Sequence, residues 1–306
     1  MQNTPLVTVI CLCYNHSHFI QEALNSVINQ SYKNIQLIIA DDFSTDDSKK
    51  VIQNWLKDHP SVAFIVNSEN LGNTKTFNNA FKIAKGDYII DLAADDVLKT
   101  DCIEKQLQGF RESKYENVGL IYGNAELISE KGTFIRDYFA TDLNRKRLKT
   151  QATGDIYIGL LNGTNNLCSV SALIKKETFE KLDGYDENLA YEDYDFWIRA
   201  SRIYNFDYID EILIQKRVIE TSLYSSFLKK RSKKTQHFNY STYIILNKIF
   251  HLNKNRQEFV AMLKRIHFEM TVAFKTRDFF LLFKYLCLEL KVRAKVAKFN
   301  LSSATS

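Results

Sequence analysis

Two periodicities alternate through the first hundred residues, and that alternation leaves few architectures open. Apolar, largely β-branched runs at residues 7–12, 35–40, 62–66 and 88–92 read as buried strands. Between them apolar residues recur at helical spacing: Ile20, Leu24, Val27 and Ile28, then Val51, Ile52, Trp55 and Leu56, then Phe77, Phe81 and Ala84. Gly86 is expected to be the C-cap of the third helix. Strict strand–helix alternation predicts an α/β fold, a Rossmann-like and mostly parallel sheet with helices on both faces.

Such sheets bind ligands beyond the carboxyl ends of their strands. Polar residues follow three of the four predicted strands at that end: Tyr14, Asn15 and His16; Asp41 and Asp42; Asp95 and Asp96. One Asp–Asp pair is usually a solvated turn or a helix cap. Three polar sets at successive strand exits instead suggest a site, and adjacent carboxylates suit a divalent cation with a phosphorylated ligand. A second acidic cluster, Tyr191-Glu192-Asp193-Tyr194-Asp195, opens an amphipathic segment and offers a base. Together they suggest group transfer from an activated, nucleotide-linked donor.

Beyond residue 100 the pattern weakens. A short strand is expected at 118–122, an irregular polar stretch at 136–153, and a return to the sheet within 167–174. A helix is expected from Asp193 through Ile203, followed by two short strands at 206–209 and 212–218. Past residue 222 the apolar residues recur as helices around 243–250, 259–272 and 279–296, and Pro5 and Pro60 are the only prolines in the chain.

Charge divides the chain at about the same place. Residues 228–306 carry 17 Lys+Arg against 4 Asp+Glu, leaving 24 against 32 in residues 1–227. An acidic body with a basic tail calls for an explanation of its own. Cys11, Cys13, Cys102, Cys168 and Cys287 lack the spacing of a zinc site and read as reduced, structural thiols of a cytoplasmic protein. The six histidines show no ligand spacing either. Residues 1–5 carry no basic residue, which argues against a secretory leader. No apolar run reaches the ~18 residues of a spanning helix.

Five ordered motifs are similar to those of the family-2 glycosyltransferases of GT-A fold, over roughly residues 5–220. They are Val7-Thr8-Val9-Ile10-Cys11-Leu12-Cys13-Tyr14-Asn15, Ile39-Ala40-Asp41-Asp42-Phe43-Ser44-Thr45-Asp46, Asn70-Leu71-Gly72, Ala84-Lys85-Gly86-Asp87-Tyr88-Ile89 and Ala94-Asp95-Asp96. Downstream, Leu182-Asp183-Gly184-Tyr185-Asp186-Glu187 and Glu192-Asp193-Tyr194-Asp195-Phe196-Trp197 resemble that family's acceptor-side signature. The resemblance implies an inverting transferase using a nucleotide-diphosphate sugar, UDP-linked, with a glycan or lipid-linked acceptor of surface-polysaccharide type. Tyr14 and the backbone near Leu12 would hold the base, and Asp42 the base or ribose. Asp95 would contact the ribose and diphosphate and, with Asp96, would hold Mn2+ or Mg2+. Asp193 would be the general base.

Two departures stand out. Ala93 replaces the first carboxylate common in the family, so the metal would rest on Asp95 and Asp96. Arg217 is followed by Val218 and Ile219, with no His where many relatives carry one; Lys216 or Arg217 could pair with phosphate instead. Lys75 is a further phosphate candidate, though an ordinary solvated lysine is the plainer reading. Asn165-Asn166 reads equally as acceptor-pocket lining or as a turn. The implied organisation is a GT-A domain at 1–225 and a basic helical extension at 226–306.

Within that extension the run Lys229-Lys230-Arg231-Ser232-Lys233-Lys234 and the apolar 279–288 segment suit an anionic membrane surface, through residues 229–298. That would place the protein peripherally on the inner face of the membrane. Packing on the catalytic domain or in a homodimer is the alternative. No nucleic-acid motif is present. Two other functions compete. A nucleotidyltransferase would need a Gly-rich, basic loop after the first strand, whereas 13–18 contains no glycine. A non-catalytic nucleotide-sugar-binding or scaffold protein would explain Ala93 and Ile219 as a degenerate metal site.

Overall fold

The computed structural model describes residues 4–219 and 232–304. The chain forms two compact units: Met1–Asp155, Leu167–Glu187 and Ile203–Ile219 make the first, and Ile156–Asn166, Asn188–Arg202 and Glu220–Ser306 the second. The expected boundary at 225/226, and residues 229–231 of the basic run, lie outside the described residues.

In the first unit, β1 (Val7–Cys13), β2 (Ile35–Asp41), β3 (Ala63–Val66) and β4 (Tyr88–Ala93) form the parallel half of one sheet in the order β3-β2-β1-β4. β1 is central, and its Val7, Val9, Ile10 and Cys11 are fully buried, which is why this segment carries no polar face. The crossovers contain α1 (Ile20–Ile28), α2 (Ser48–Trp55) and α3 (Asn73–Phe81), as the periodicity requires. In α1 the residues Ile20, Ala23, Leu24 and Val27 form the single buried stripe expected of such a helix.

The second half of the sheet is mixed. After β5 (Val97–Leu98) and α4 (Cys102–Glu112) come β6 (Val118–Ile128), β7 (Phe134–Asp137), β8 (Leu173–Lys175) and β9 (Asn205–Arg217). β8 runs antiparallel between β4 and β6, as the expected return to the sheet. β6 is longer than the five residues its apolar run suggests. The polar Asn124 passes through the sheet because its side chain bonds both backbone groups of Phe139 at 2.8 and 2.9 Å.

The two strands expected at 206–209 and 212–218 are one continuous strand, β9. Its parallel ladder with β6 shifts register on either side of Asn124 and so absorbs the break in the apolar pattern at Asp210 and Glu211. The stretch 136–153 is held by ion pairs together with the packing of Phe139 on Tyr122 and Tyr208. Arg145 reaches Asp137 at 2.5 Å and Glu126 at 3.0 Å, so no hydrophobic period announces it.

Gly86 is not a helix cap: α3 ends at Phe81 with Lys82 as its C-cap. A Cβ at Gly86 would lie 2.5 Å from the Thr8 amide nitrogen and 2.8 Å from the Leu6 carbonyl, so glycine is required by the close approach of β1. Gly72, at φ 85°, caps the other end of α3.

The second unit is helical: α5 (Tyr157–Leu161), α7 (Asp193–Ala200), α8 (Lys233–Leu252), α9 (Arg256–Thr276) and α10 (Phe279–Ala304), with α6 (Lys176–Leu182) belonging to the first unit. Buried Asp195 accepts from Arg199 Nε and Lys248 Nζ, both at 2.7 Å, tying α7 to α8. Arg202 donates to Glu258 of α9 at 2.9 Å and to the Leu252 carbonyl at 2.7 Å. Buried pairs of this kind fix register more than they add stability. No described helix is long and apolar enough to cross a membrane. All five cysteines are free, and four are buried.

Gly86→Ala is therefore expected to lower stability by about 1–3 kcal/mol, seen as a drop in the urea midpoint. An unchanged midpoint would show that β1 can move away from the added methyl.

Candidate active site

At the exits of β1 and β2 two non-glycine residues take left-handed backbone, Asn15 at φ 58° and Phe43 at φ 62°. Asparagine tolerates this conformation; a bulky aromatic holds it only where its surroundings enforce it. The enforcement comes from polar bonds between the two loops. The Asn15 side-chain oxygen accepts from Thr45 N at 2.7 Å, and Asn15 N donates to Ser44 Oγ at 2.9 Å. Asp46 accepts from Ser48 N and Ser17 N at 2.9 and 3.0 Å; although partial burial raises its pKa, these bonds prevail and bring it down to about 2. Tyr14 and Phe43 are thereby left about half exposed, side by side in the order of the strands that precede them.

Asp42 is buried and fully engaged. Its carboxylate accepts from Leu71 N at 2.8 Å, Gly72 N at 2.9 Å and Asn67 Nδ2 at 2.9 Å. Asn67 also donates to Thr76 Oγ1 at 2.8 Å. The Asn70-Leu71-Gly72 motif is thus a loop clamped on Asp42. The Leu12 carbonyl accepts the Ala94 amide at 2.9 Å, which draws the β4 exit against β1.

Asp95 and Asp96 occupy the turn between β4 and β5. The Asp96 amide closes the turn on the Ala93 carbonyl at 3.0 Å. Asp96 is 3% exposed, and Arg217 N at the end of β9 donates to its Oδ1 at 2.9 Å. Burial, and then the adjacent charge of Asp95, pushes its carboxyl up to about 7 against the pull of Lys216 and the Arg217 amide. Asp95 is more open, and His16 Nδ1 stands 3.7 Å from its Oδ1 as a buried nitrogen without a hydrogen-bond partner.

Arg217 cannot serve as a free phosphate ligand. Its guanidinium donates to the carbonyls of Asp95, Ser129 and Glu130 at 2.9–3.2 Å and to Glu22 at 2.6 Å, and it lies over the Phe19 ring at 4.7 Å. Lys216, half-buried beside it, acts on Asp96 by charge more strongly than Arg217 does. Lys75 is exposed on α3.

The other sequence-predicted residues lie in the second unit. Asp193 opens α7, and its Oδ1 accepts from the Tyr194 amide at 2.7 Å. Asn165 closes a turn onto the Gly159 carbonyl at 3.1 Å. Among the described residues no three His, Cys, Asp or Glu side chains form a metal cage. The Asp95–Asp96 pair still fits a divalent cation: a buried carboxyl strained by a like charge is relieved by one, provided waters and ligand phosphates complete the shell, as Mg2+ and Mn2+ commonly require. Sequence reading missed His16 as a partner of Asp95 and Asn67 as the support of Asp42. His16 already stood in the polar set after β1, whereas nothing local marked Asn67.

Comparison with known proteins identifies the family and the fold. Residues 8–182 match glycosyl transferase family 2. An uncharacterized glycosyltransferase of Methanocaldococcus jannaschii is 29% identical over 231 residues, 74% of this chain and 76% of that protein. Chondroitin synthase of Escherichia coli is 26% identical over 213 residues, 69% of this chain but 29% of the synthase. Among solved structures, Staphylococcus aureus TarS 1–349 with UDP-GlcNAc superposes at TM-score 0.65 and 15% identity, covering 88% of this chain and 75% of that one. A Pyrobaculum calidifontis mannosyltransferase with GDP-Man and Mn2+ superposes at 0.58 and 15%, covering 99% and 87%. The chain belongs to glycosyl transferase family 2 and is a glycosyltransferase of GT-A fold.

The raised Asp96 carboxyl has a defined sign. The folded protein holds its proton from the ordinary aspartate range near ~3.9 up to about 7. Its contribution to stability is full at low pH and is lost as pH rises through that window. In metal-free buffer Asp96→Asn should gain stability relative to the parent between pH 5 and pH 8, by thermal melting. A difference independent of pH would remove Asp96 from that role.

Proposed function

We propose that this glycosyltransferase moves a sugar from a UDP-linked donor to a glycan or lipid-linked acceptor, with inversion at the anomeric carbon. The observation that carries the reading is the Asp95–Asp96 turn, two carboxylates at a parallel strand's exit with Lys216 beside them. The solved relatives with UDP-GlcNAc and with GDP-Man and Mn2+ support a nucleotide-diphosphate donor.

In this reading Tyr14 and the backbone near Leu12 hold the base, and Asp42 holds base or ribose through the loop it organises. Asp95 contacts ribose and diphosphate, and Asp95 and Asp96 would hold Mn2+ or Mg2+. Bound there, such an ion would supply positive charge against the negative charge that gathers on the departing diphosphate. Lys216 adds a cation on the side where many relatives place a histidine. Asp193 takes the proton from the acceptor hydroxyl as its oxygen attacks the anomeric carbon opposite the leaving group. One base suffices, since a single displacement needs no covalent glycosyl intermediate. Residues 1–225 form the catalytic domain and 226–306 the basic extension. We place the protein in the cytoplasm, peripheral on the inner membrane face, in surface-polysaccharide assembly.

Asp193→Asn should lower the transfer rate by about 10²–10⁴-fold while leaving donor affinity intact, by kinetics beside calorimetry. Retained turnover would shift the base elsewhere. Titration with UDP, GDP and dTDP should give binding for UDP that needs Mn2+, is lost in EDTA, and weakens from pH 8 to pH 6 as protons compete at Asp96. Failure of every nucleotide to bind would favour a non-catalytic protein with a degenerate site.

A further inference from the structure

α10 carries two apolar stripes on opposite faces. Leu281, Tyr285, Leu288 and Val292 are spaced 4-3-4 and are almost fully buried. Phe279, Phe283, Leu286 and Leu290 repeat the same spacing two residues out of step, which sets them about half a turn away. They are 60%, 63%, 42% and 68% exposed. A helix needs one stripe to join a core, so the second requires another explanation.

The flank of that outer stripe is basic. Lys284, Lys291 and Lys298 recur every seven residues and therefore lie along one side of it. Lys284 Nζ lies over the rings of Phe280, Tyr240 and Tyr243, about 5 Å from their centroids. α10 holds five basic residues and one acidic residue, Glu289, which Arg293 and His267 already neutralise at 2.6 and 2.9 Å. Phe274, at the end of α9, contacts Phe279 and extends the exposed aromatic surface.

We propose that the outer face of α10, with Phe279, Phe283, Leu286 and Leu290 as the inserting edge and Lys284, Lys291 and Lys298 as the headgroup contacts, docks on an anionic lipid bilayer. This deepens the membrane-surface reading above and is independent of the transfer chemistry. It also separates residues that sequence alone lumped together, since only Leu281, Tyr285 and Leu288 of the apolar 279–288 segment are core. A second copy of the chain is the competing occupant of a 4-3-4 stripe. Charge decides against it: two copies would set like-charged flanks together without acidic partners, whereas anionic headgroups complement them. Aromatic side chains also suit the bilayer interface.

The test is co-sedimentation of the full chain with vesicles of phosphatidylcholine alone and of phosphatidylcholine with phosphatidylglycerol. The expected result is binding to the anionic vesicles only, reduced about tenfold or more in a Phe279→Ser, Phe283→Ser, Leu290→Ser variant. That variant should melt as the parent does, because the three side chains leave the core untouched. Lys291→Gln with Lys298→Gln should weaken binding at low salt and leave folding unchanged, since both side chains are exposed. No binding by the parent overturns the membrane reading as a whole. Full binding by the serine variant overturns the α10 face alone and moves the contact to another basic segment. A lipid-free dimer that the serine variant splits, by light scattering, assigns the face to a second copy.

Discussion

Holding two adjacent carboxylates at a buried turn is unfavourable, and the strand-exit edge of the first unit is organised around that strain. Asp96 is out of water beside Asp95, with one direct backbone donor from Arg217. The neighbouring guanidinium makes no direct ion pair with them: it is bonded to three backbone carbonyls and to Glu22 and braces the turn, and its field with that of Lys216 only partly offsets burial and like charge. A site built this way favours whatever brings cations to it. The long β9 strand belongs to the same context: paired with β6 from Asn205 to Arg217, it brings Lys216 and Arg217 to the turn after β4.

The neighbouring loops are fixed by a different means. Asp42 is satisfied by two backbone amides and the Asn67 side chain, and Asn15 links its own loop to the one after β2. These bonds hold Phe43 in left-handed backbone, a conformation that local preference opposes. Preformed loops of this kind lose little conformational entropy when a ligand arrives. Exposed Tyr14 and Phe43 are therefore presented on a rigid edge.

In the helical unit, apolar packing and buried ion pairs divide the work. Leu281, Tyr285, Leu288 and Val292 supply burial, while Asp195 with Arg199 and Lys248, and Arg202 with Glu258, align the helices that burial alone would leave free to slide. The outer apolar stripe of α10 belongs to neither set, which is why its basic flank carries weight.

Much of this was legible from residue order. Strand and helix periods located β1 to β4 and α1 to α3, and the strand-exit rule singled out Asp42, Asp95 and Asp96, because these depend on residues near one another in the chain. What local pattern could not decide was long-range. Gly86 serves the approach of β1 instead of ending a helix, Arg217 braces a turn 122 residues earlier, and Asn67 supports Asp42 across 25 residues. β9 is one strand because β6 carries it past a polar break. Hydrophobic period is written in neighbouring residues, so the sequence by itself determined most of the elements and the strand exits at which Asp42, Asp95 and Asp96 stand. Polar saturation and close backbone contact depend on which distant groups meet, so only the tertiary structure decided which charges are occupied, which remain for a ligand, and which apolar face of α10 is left outside.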